Sequence, residues 1–371
     1  MVEVRATAES QPELQCPYDS IGVIGANGQI GRFLLNELSQ YSQLPLNGCV
    51  HKPEDIEPLV SDYPRLADRL TVDVAEFVEG NPTAIFVAVP NTEVEGILRE
   101  IDGFVSRPTT VVLVQNGIVS ATELSAIQNP NITLMRASIF TAVSKDTPLG
   151  DVIYDRTKRR IAFAPISVGL DEDTETLESQ RQEELFRRLG FETARFGNHR
   201  DLEWTKLLLN TIGTTAVVTG MTPEDTFRDP DLFHKECQAL AQRLSIMKAA
   251  GINTVDLPWI NTKQLRVLAG LAHLGTHVPS LVRNKIAKKF AKERDNKPPA
   301  AARRIEQGLP PSEAPSYHQP FVDVASEFGL DASVDETILK VLRDHLNPST
   351  TLNLSAMNHD ARRELLLSQV S

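Results

Sequence analysis

The sequence predicts an α/β domain built on a mostly parallel sheet, followed by an all-α domain. Three observations predict it. Apolar strand-like runs alternate with helix-like segments through the first half, a three-glycine turn joins the first strand to the first helix, and beyond about Asp201 only long helical patterns follow. At 371 residues the chain has room for two domains of ordinary size. The expected division is a leader over 1–19, a first domain over 20–198, a helical domain over 199–346 and a tail over 347–371.

Taken in order, Ser20–Gly25 reads as a short β-branched strand and Gly28–Gln40 as a helix with Ile30, Phe33, Leu34 and Leu38 on one face. Leu46–His51, Ala84–Val89 and Thr109–Val114 read as strands, with a helix from about Thr92 to Phe104 between the last two. Asn131–Ala137 and Asp151–Pro165 continue the strand pattern, Asp171–Leu189 is a charged amphipathic helix, and Phe191–Phe196 is a last strand. Strands that are apolar on both faces and separated by helices indicate a parallel sheet covered on both sides. Helical patterns then occupy Asp201–Thr219, Asp229–Ala250, Asn261–Leu274, Ser280–Glu293, Tyr317–Phe328 and Ser333–Leu346. Pro298–Pro315 reads as a proline-rich break and Asn347–Ser371 as a weakly anchored tail.

Composition narrows the function. Hydrophobic residues at 41% and charged residues at 23% exclude general disorder. A net charge of −11 opposes a nucleic-acid partner. The apolar stretch Leu207–Pro223 is interrupted by Asn210, Gly213 and Gly220, so no membrane span is expected. The N-terminus carries charges and no apolar run, and reads as a polar leader rather than a secretory signal. Cys16, Cys49 and Cys237 lie far apart with no CxxC spacing, which fits a reducing, cytoplasmic compartment. His273 and His277 lack acidic or cysteine partners nearby, so no metal site is expected. Arg283–Lys297 holds seven basic residues against two acids and reads as a solvated helical face. Neither a G-x-S-x-G elbow nor an HExxH motif occurs, which argues against a hydrolase.

The run Gly25-Ala26-Asn27-Gly28-Gln29-Ile30-Gly31 sits at a strand-to-helix junction near the start of the chain. Glycines there permit a tight turn, close approach of backbone to a pyrophosphate, and close packing of helix on sheet. A Rossmann-type dinucleotide site is expected. The position about 20 residues past the last glycine carries an acid where NAD is preferred. Here His51 and Lys52 stand at the end of the second strand; they either belong to a solvated loop or attract a 2′-phosphate, and NADP is the cofactor expected.

The helical half opens on Trp204-Thr205-Lys206-Leu207-Leu208-Leu209-Asn210, then Thr214. Spacing of four stacks Lys206, Asn210 and Thr214 on one face of an otherwise apolar helix. An ammonium in such surroundings is prepared to donate a proton, and the amide and hydroxyl can orient substrate oxygens. Equally, Lys206 can snorkel to water while Asn210 and Thr214 are satisfied core polars.

Together, the glycine turn, a strand ending in Gln115-Asn116-Gly117, and the W-x-K-x-x-x-N helix opening an all-α domain resemble the ketopantoate reductases (2-dehydropantoate 2-reductases). The resemblance extends over roughly residues 20–345. It implies a 6-phosphogluconate-dehydrogenase-like helical domain and a cleft between the domains. It also implies that Lys206 protonates the alkoxide as hydride arrives from NADPH, that Asn116 lies near nicotinamide and substrate, and that Asn210 binds substrate. Glu313, in Ser312-Glu313-Ala314-Pro315, stands where the family places a hydroxyl-binding glutamate. A serine expected before it is replaced by Pro299-Ala300-Ala301-Ala302-Arg303-Arg304. The expected function is NADPH-dependent reduction of a small 2-keto acid, ketopantoate first, in pantothenate and coenzyme A synthesis. The alternatives are a different keto-acid or opine-type substrate and a non-catalytic NADP-binding sensor. Oligomeric state is left open, with a homodimer among the options.

Overall fold

The computed structural model describes residues 15–145, 152–166, 172–293, 296–311 and 313–369. Most of the expected leader and Ser312 lie outside these residues. Two compact units meet in sequence at Leu202 and Glu203.

In the first unit the strands are β1 (Ile21–Ile24), β2 (Leu46–Cys49), β3 (Leu70–Thr71), β4 (Ala84–Val87), β5 (Thr109–Leu113), β6 (Ile132–Ile139), β7 (Val143–Lys145), β8 (Val152–Tyr154), β9 (Arg160–Pro165) and β10 (Glu192–Arg195). Eight of them form one sheet in the order β10-β9-β6-β5-β4-β1-β2-β3, parallel except where β6 meets β9. β1 lies between β2 and β4, with Ile21 opposite both Leu46 and Ala84. The strand order therefore reverses between β1 and β4, which is where an open α/β sheet leaves a crevice at its carboxyl edge.

Alternation explains the continuous apolar runs. Ile21, Val23, Ala84, Phe86 and Val112 pack on one face, and Ile24, Ile85, Val87, Val111 and Leu113 on the other. On the first face the helix Glu172–Arg188 delivers Phe186, whose ring lies 5.9 Å from Phe86, 5.6 Å from Phe163 and 5.1 Å from Phe191.

One strand reading needs correction here, and three short elements were not read at all. Asp151–Pro165 is not one strand. β8 pairs with β7 in a separate small sheet, and a 3-10 turn at Arg156–Lys158 intervenes before β9. Asp155 makes that turn by accepting hydrogen bonds from Thr157 N at 2.9 Å and its hydroxyl at 2.6 Å. Short helices at Ile56–Asp62 and Val74–Glu79, and the two-residue β3, are too brief to show a period.

In the second unit the only β feature among the described residues is an isolated bridge between Leu257 and Ile260. The helix expected over Asp201–Thr219 is broken. It runs His199–Asn210, and a second helix runs Thr215–Thr219. Gly213, at φ 78°, takes the left-handed conformation that ends the first. The expected break at Pro298–Pro315 contains a helix, Ala300–Glu306, with Ala302 and Ile305 buried.

The weakly anchored tail is also corrected. The helix His359–Gln369 is docked within the unit, with Leu354 and Leu366 fully buried in the cluster that holds Val218, Leu232, Val334 and Ile338. Arg363 ties it down, donating to Asp229 at 2.7 Å. No described helix is long and apolar enough to cross a membrane.

Candidate active site

The glycine run forms the turn between β1 and the helix Gln29–Leu38. Gly25 has φ 79°, and a Cβ there would lie 2.6 Å from Ala88 O. A Cβ on Gly31 would lie 2.1 Å from Gly25 O, so the helix packs against the turn at a distance only glycine allows. Gly28 N donates to Gly25 O at 2.9 Å and closes the loop. The Gln29–Leu38 helix then starts from Gly28 with no side-chain cap and no acid in its first turn. Its first amide donors and dipole are thus left for an anion. Asn27, the residue that widens the glycine spacing, is held from below: buried Arg32 donates Nε to Asn27 Oδ1 at 3.0 Å and pairs through Nη1 with Asp62.

Beside the turn lies a cleft of about 620 Å³ lined by Gly25, Asn27, Gly28, His51, Asp55 and Asp73, among others. Volume, glycine cradle and uncapped helix start fit a dinucleotide. Of the nucleotide residues read from sequence, Gly25, Asn27, Gly28 and His51 line the cleft. Ala26 is fully buried in the core, and Lys52 is exposed, 3.9 Å from Glu54. Gln29 donates its side chain to Val143 O, and Ile30 packs partly buried on the core.

Beyond the end of β5 comes Gln115-Asn116-Gly117, with Asn116 half-buried. Gly117 has φ 108°, and a Cβ there would lie 2.4 Å from Asn91 Nδ2. Arg136 on β6 clamps this tripeptide from beneath, donating Nη2 to Gln115 O at 2.5 Å and Gly117 O at 2.9 Å. The sequence reading missed Arg136, although an arginine inside a buried strand demands acceptors and was a signal of them.

In the second unit Lys206 and Asn210 share the helix His199–Asn210 and are both half-buried. Trp204 anchors that helix edge-on to Phe321, 5.3 Å between ring centres. Thr214 does not continue their stripe, because the helix stops at Asn210. Its hydroxyl instead lies 2.8 Å from His318 Nε2, and His318 Nδ1 lies 2.6 Å from Asp335 Oδ1. Arg243 binds the same carboxylate through Nε at 2.9 Å and Nη2 at 2.7 Å, and donates Nη1 to Thr211 O at 2.8 Å.

Glu236 completes the set around the break, accepting from Gly213 N at 2.9 Å and Thr215 N at 2.7 Å. Burial raises the Asp335 carboxyl, but the Arg243 charge and the His318 hydrogen bond outweigh it and hold the group below its ordinary value. None of His318, Arg243, Asp335 or Glu236 stood out in the sequence. Glu313 is exposed and accepts from the Tyr317 hydroxyl at 2.8 Å, one turn along its own helix.

Residues 21–166 match a family described as ketopantoate reductase PanE/ApbA. Among curated proteins no sequence matches. Solved structures match most of the chain in fold. A PanE/ApbA family ketopantoate reductase from Ralstonia eutropha JMP134 has a TM-score of 0.66 at 13% identity, over 87% of this chain and 97% of that one. A 2-dehydropantoate 2-reductase from Methylococcus capsulatus has 0.62 at 17%, over 90% and 99%. A D-mandelate dehydrogenase solved with NADH and anilino(oxo)acetate has 0.64 at 12%, over 87% and 97%. The resemblance read from the sequence is therefore shown, and the fold is the one it implied: a Rossmann-type unit followed by a helical unit.

Proposed function

We propose that this chain is a nicotinamide-dinucleotide-dependent reductase of a small 2-keto acid, with ketopantoate as the first substrate to test and pantoate formation in pantothenate synthesis as its role. The observation that carries the reading is a glycine turn left open for an anion, in the segment that matches the ketopantoate reductase family. A reduced nicotinamide, when bound, supplies hydride to the keto carbon. The chain's own residues bind and orient. The Gly25–Gly31 turn holds the pyrophosphate with backbone donors. Asn116, fixed by the Arg136 clamp on its neighbours, presents an amide at the carboxyl edge of the sheet. Lys206 gives a proton to the alkoxide oxygen and regains one from water, while Asn210, one turn along the same helix, orients the substrate.

A second reading, a different 2-keto acid, is favoured by the solvent-exposed position of Glu313 and by the Ala300–Glu306 helix where the family carries its serine. A non-catalytic sensor is the third. Cofactor oxidation by the purified chain, with ketopantoate, phenylglyoxylate and pyruvate and with both nicotinamide cofactors, separates them. Turnover fastest with ketopantoate supports the first reading, and turnover with another acid alone supports the second. Dinucleotide binding without turnover of any acid would reject the reductase.

A further inference from the structure

The cleft beside the glycine turn is lined by more acids than bases, which bears on the choice between the two nicotinamide cofactors. This step rests on the reading of that cleft as the dinucleotide site. Four carboxylates line it, those of Asp55, Asp73, Glu93 and Glu100, against one imidazole, His51. Among the described residues no lysine or arginine lines it. Lys52, the cation expected to meet a 2′-phosphate, leaves 58% of its side chain in solvent and sits 3.9 Å from Glu54. Arg32 lies under the turn with its charge committed to Asp62. The thiol of Cys49, also in the lining, registers the surroundings. Burial pushes it up to about 12, and the charges of Asp73, Glu100 and Glu76 push the same way.

The four acids are not equivalent. Asp73 spends one oxygen capping the helix Val74–Glu79, accepting from Glu76 N at 3.0 Å. Glu93 and Glu100 belong to the helix Asn91–Phe104. Asp55 closes the segment that follows β2 and lies 24 residues past Gly31, a few beyond the position about 20 on where such folds place a ribose-binding carboxylate. It is half-buried, and although it stands at the start of the helix Ile56–Asp62 its side chain makes no capping hydrogen bond there.

We infer that the cleft selects the cofactor that lacks the 2′-phosphate, NAD(H), with Asp55 accepting hydrogen bonds from the adenosine ribose. A 2′-phosphate adds up to two negative charges to a cleft that already holds four carboxylates, whereas two ribose hydroxyls offer donors to one of them. His51 faces the same space but is outnumbered.

The test is equilibrium binding of NADH and NADPH to the full chain without keto acid, read by the fluorescence of the reduced nicotinamide. NADH is expected to bind about a hundredfold more tightly. Asp55→Asn should narrow that ratio about tenfold, the worth of one charge-assisted hydrogen bond. Glu54→Gln, on the same exposed segment but not in the lining, should leave it unchanged. Equal or tighter binding of NADPH would overturn the inference while leaving the dinucleotide site intact. So would a ratio that Asp55→Asn does not move, or one that Glu54→Gln moves as much. Failure of both cofactors to bind would overturn the dinucleotide reading itself.

Discussion

The turn at Gly25–Gly31 and the turn at Thr211–Thr214 both carry the chain out of one regular element into a helix, and they are built in opposite ways. The first is made of backbone: glycines, a carbonyl 2.1 Å from where a Cβ would stand, and a helix start without a cap. The second is held by buried charged and polar side chains, Glu236, Arg243, His318 and Asp335, brought from three other helices. A backbone turn leaves its donors open to a ligand. A turn stitched by side chains has its polar groups satisfied internally and gives the Lys206–Asn210 helix a rigid end. The first turn has the build of a binding device, as proposed above, and the second that of a support.

Substitutions can break that contrast. The largest effect is expected at the group that the supported helix presents. Lys206→Ala should lower kcat for keto-acid reduction by about 10²–10⁴, with dinucleotide affinity changed little. A mutant that turns over at the wild-type rate would make Lys206 a structural lysine. At the support, Arg243→Met leaves a fully buried carboxylate with His318 alone, and a loss of about 3–5 kcal/mol is expected in denaturant unfolding. A loss below 1 kcal/mol would mean that the network is incidental. At the binding turn, Gly31→Ala forces backbone apart for about 1–3 kcal/mol of stability, and should lose dinucleotide binding altogether. Retained binding would show that the turn is only a packing device.

Smaller effects follow from titration. Because the Asp335 carboxyl is depressed in the folded protein, its contribution to stability is present above the unfolded value, near 4, and is lost as pH falls below it. Asp335→Asn should flatten the stability curve in that acid range, and an unchanged slope would place the sensitivity elsewhere. Burial raises Cys49 and Cys237 to about 12 and Cys16 to about 11, so all three thiols should react slowly with alkylating reagents at neutral pH in the native protein. Prompt labelling of Cys49 would contradict its place in the cleft floor.

The same contrast explains what was legible in the sequence. The glycine turn and the two-faced strands depend on residues near one another in the chain, and period and spacing report such residues. Arg136, His318 and Asp335 act across 17 to 104 positions. No local pattern ties Thr214 to His318, so Thr214 was placed on a helix face that ends four residues earlier. Asp55 escaped notice because the sequence put weight on the charges nearest the end of β2, and the fold turns Lys52 outward and Asp55 into the cleft. The C-terminal segment looked like a tail because its buried apolar residues, Leu354 in the turn before the helix and Leu366 within it, are few and are met by distant helices.

The central claim is that hydride passes from a bound dinucleotide to the keto carbon of a small acid. It is tested most directly with cofactor deuterated at the reactive position of the nicotinamide, by mass spectrometry of the hydroxy acid formed. The account predicts one deuterium at C2 of every product molecule, with the hydroxyl proton drawn from solvent. Product formed without deuterium, or cofactor oxidised with no hydroxy acid, would contradict it.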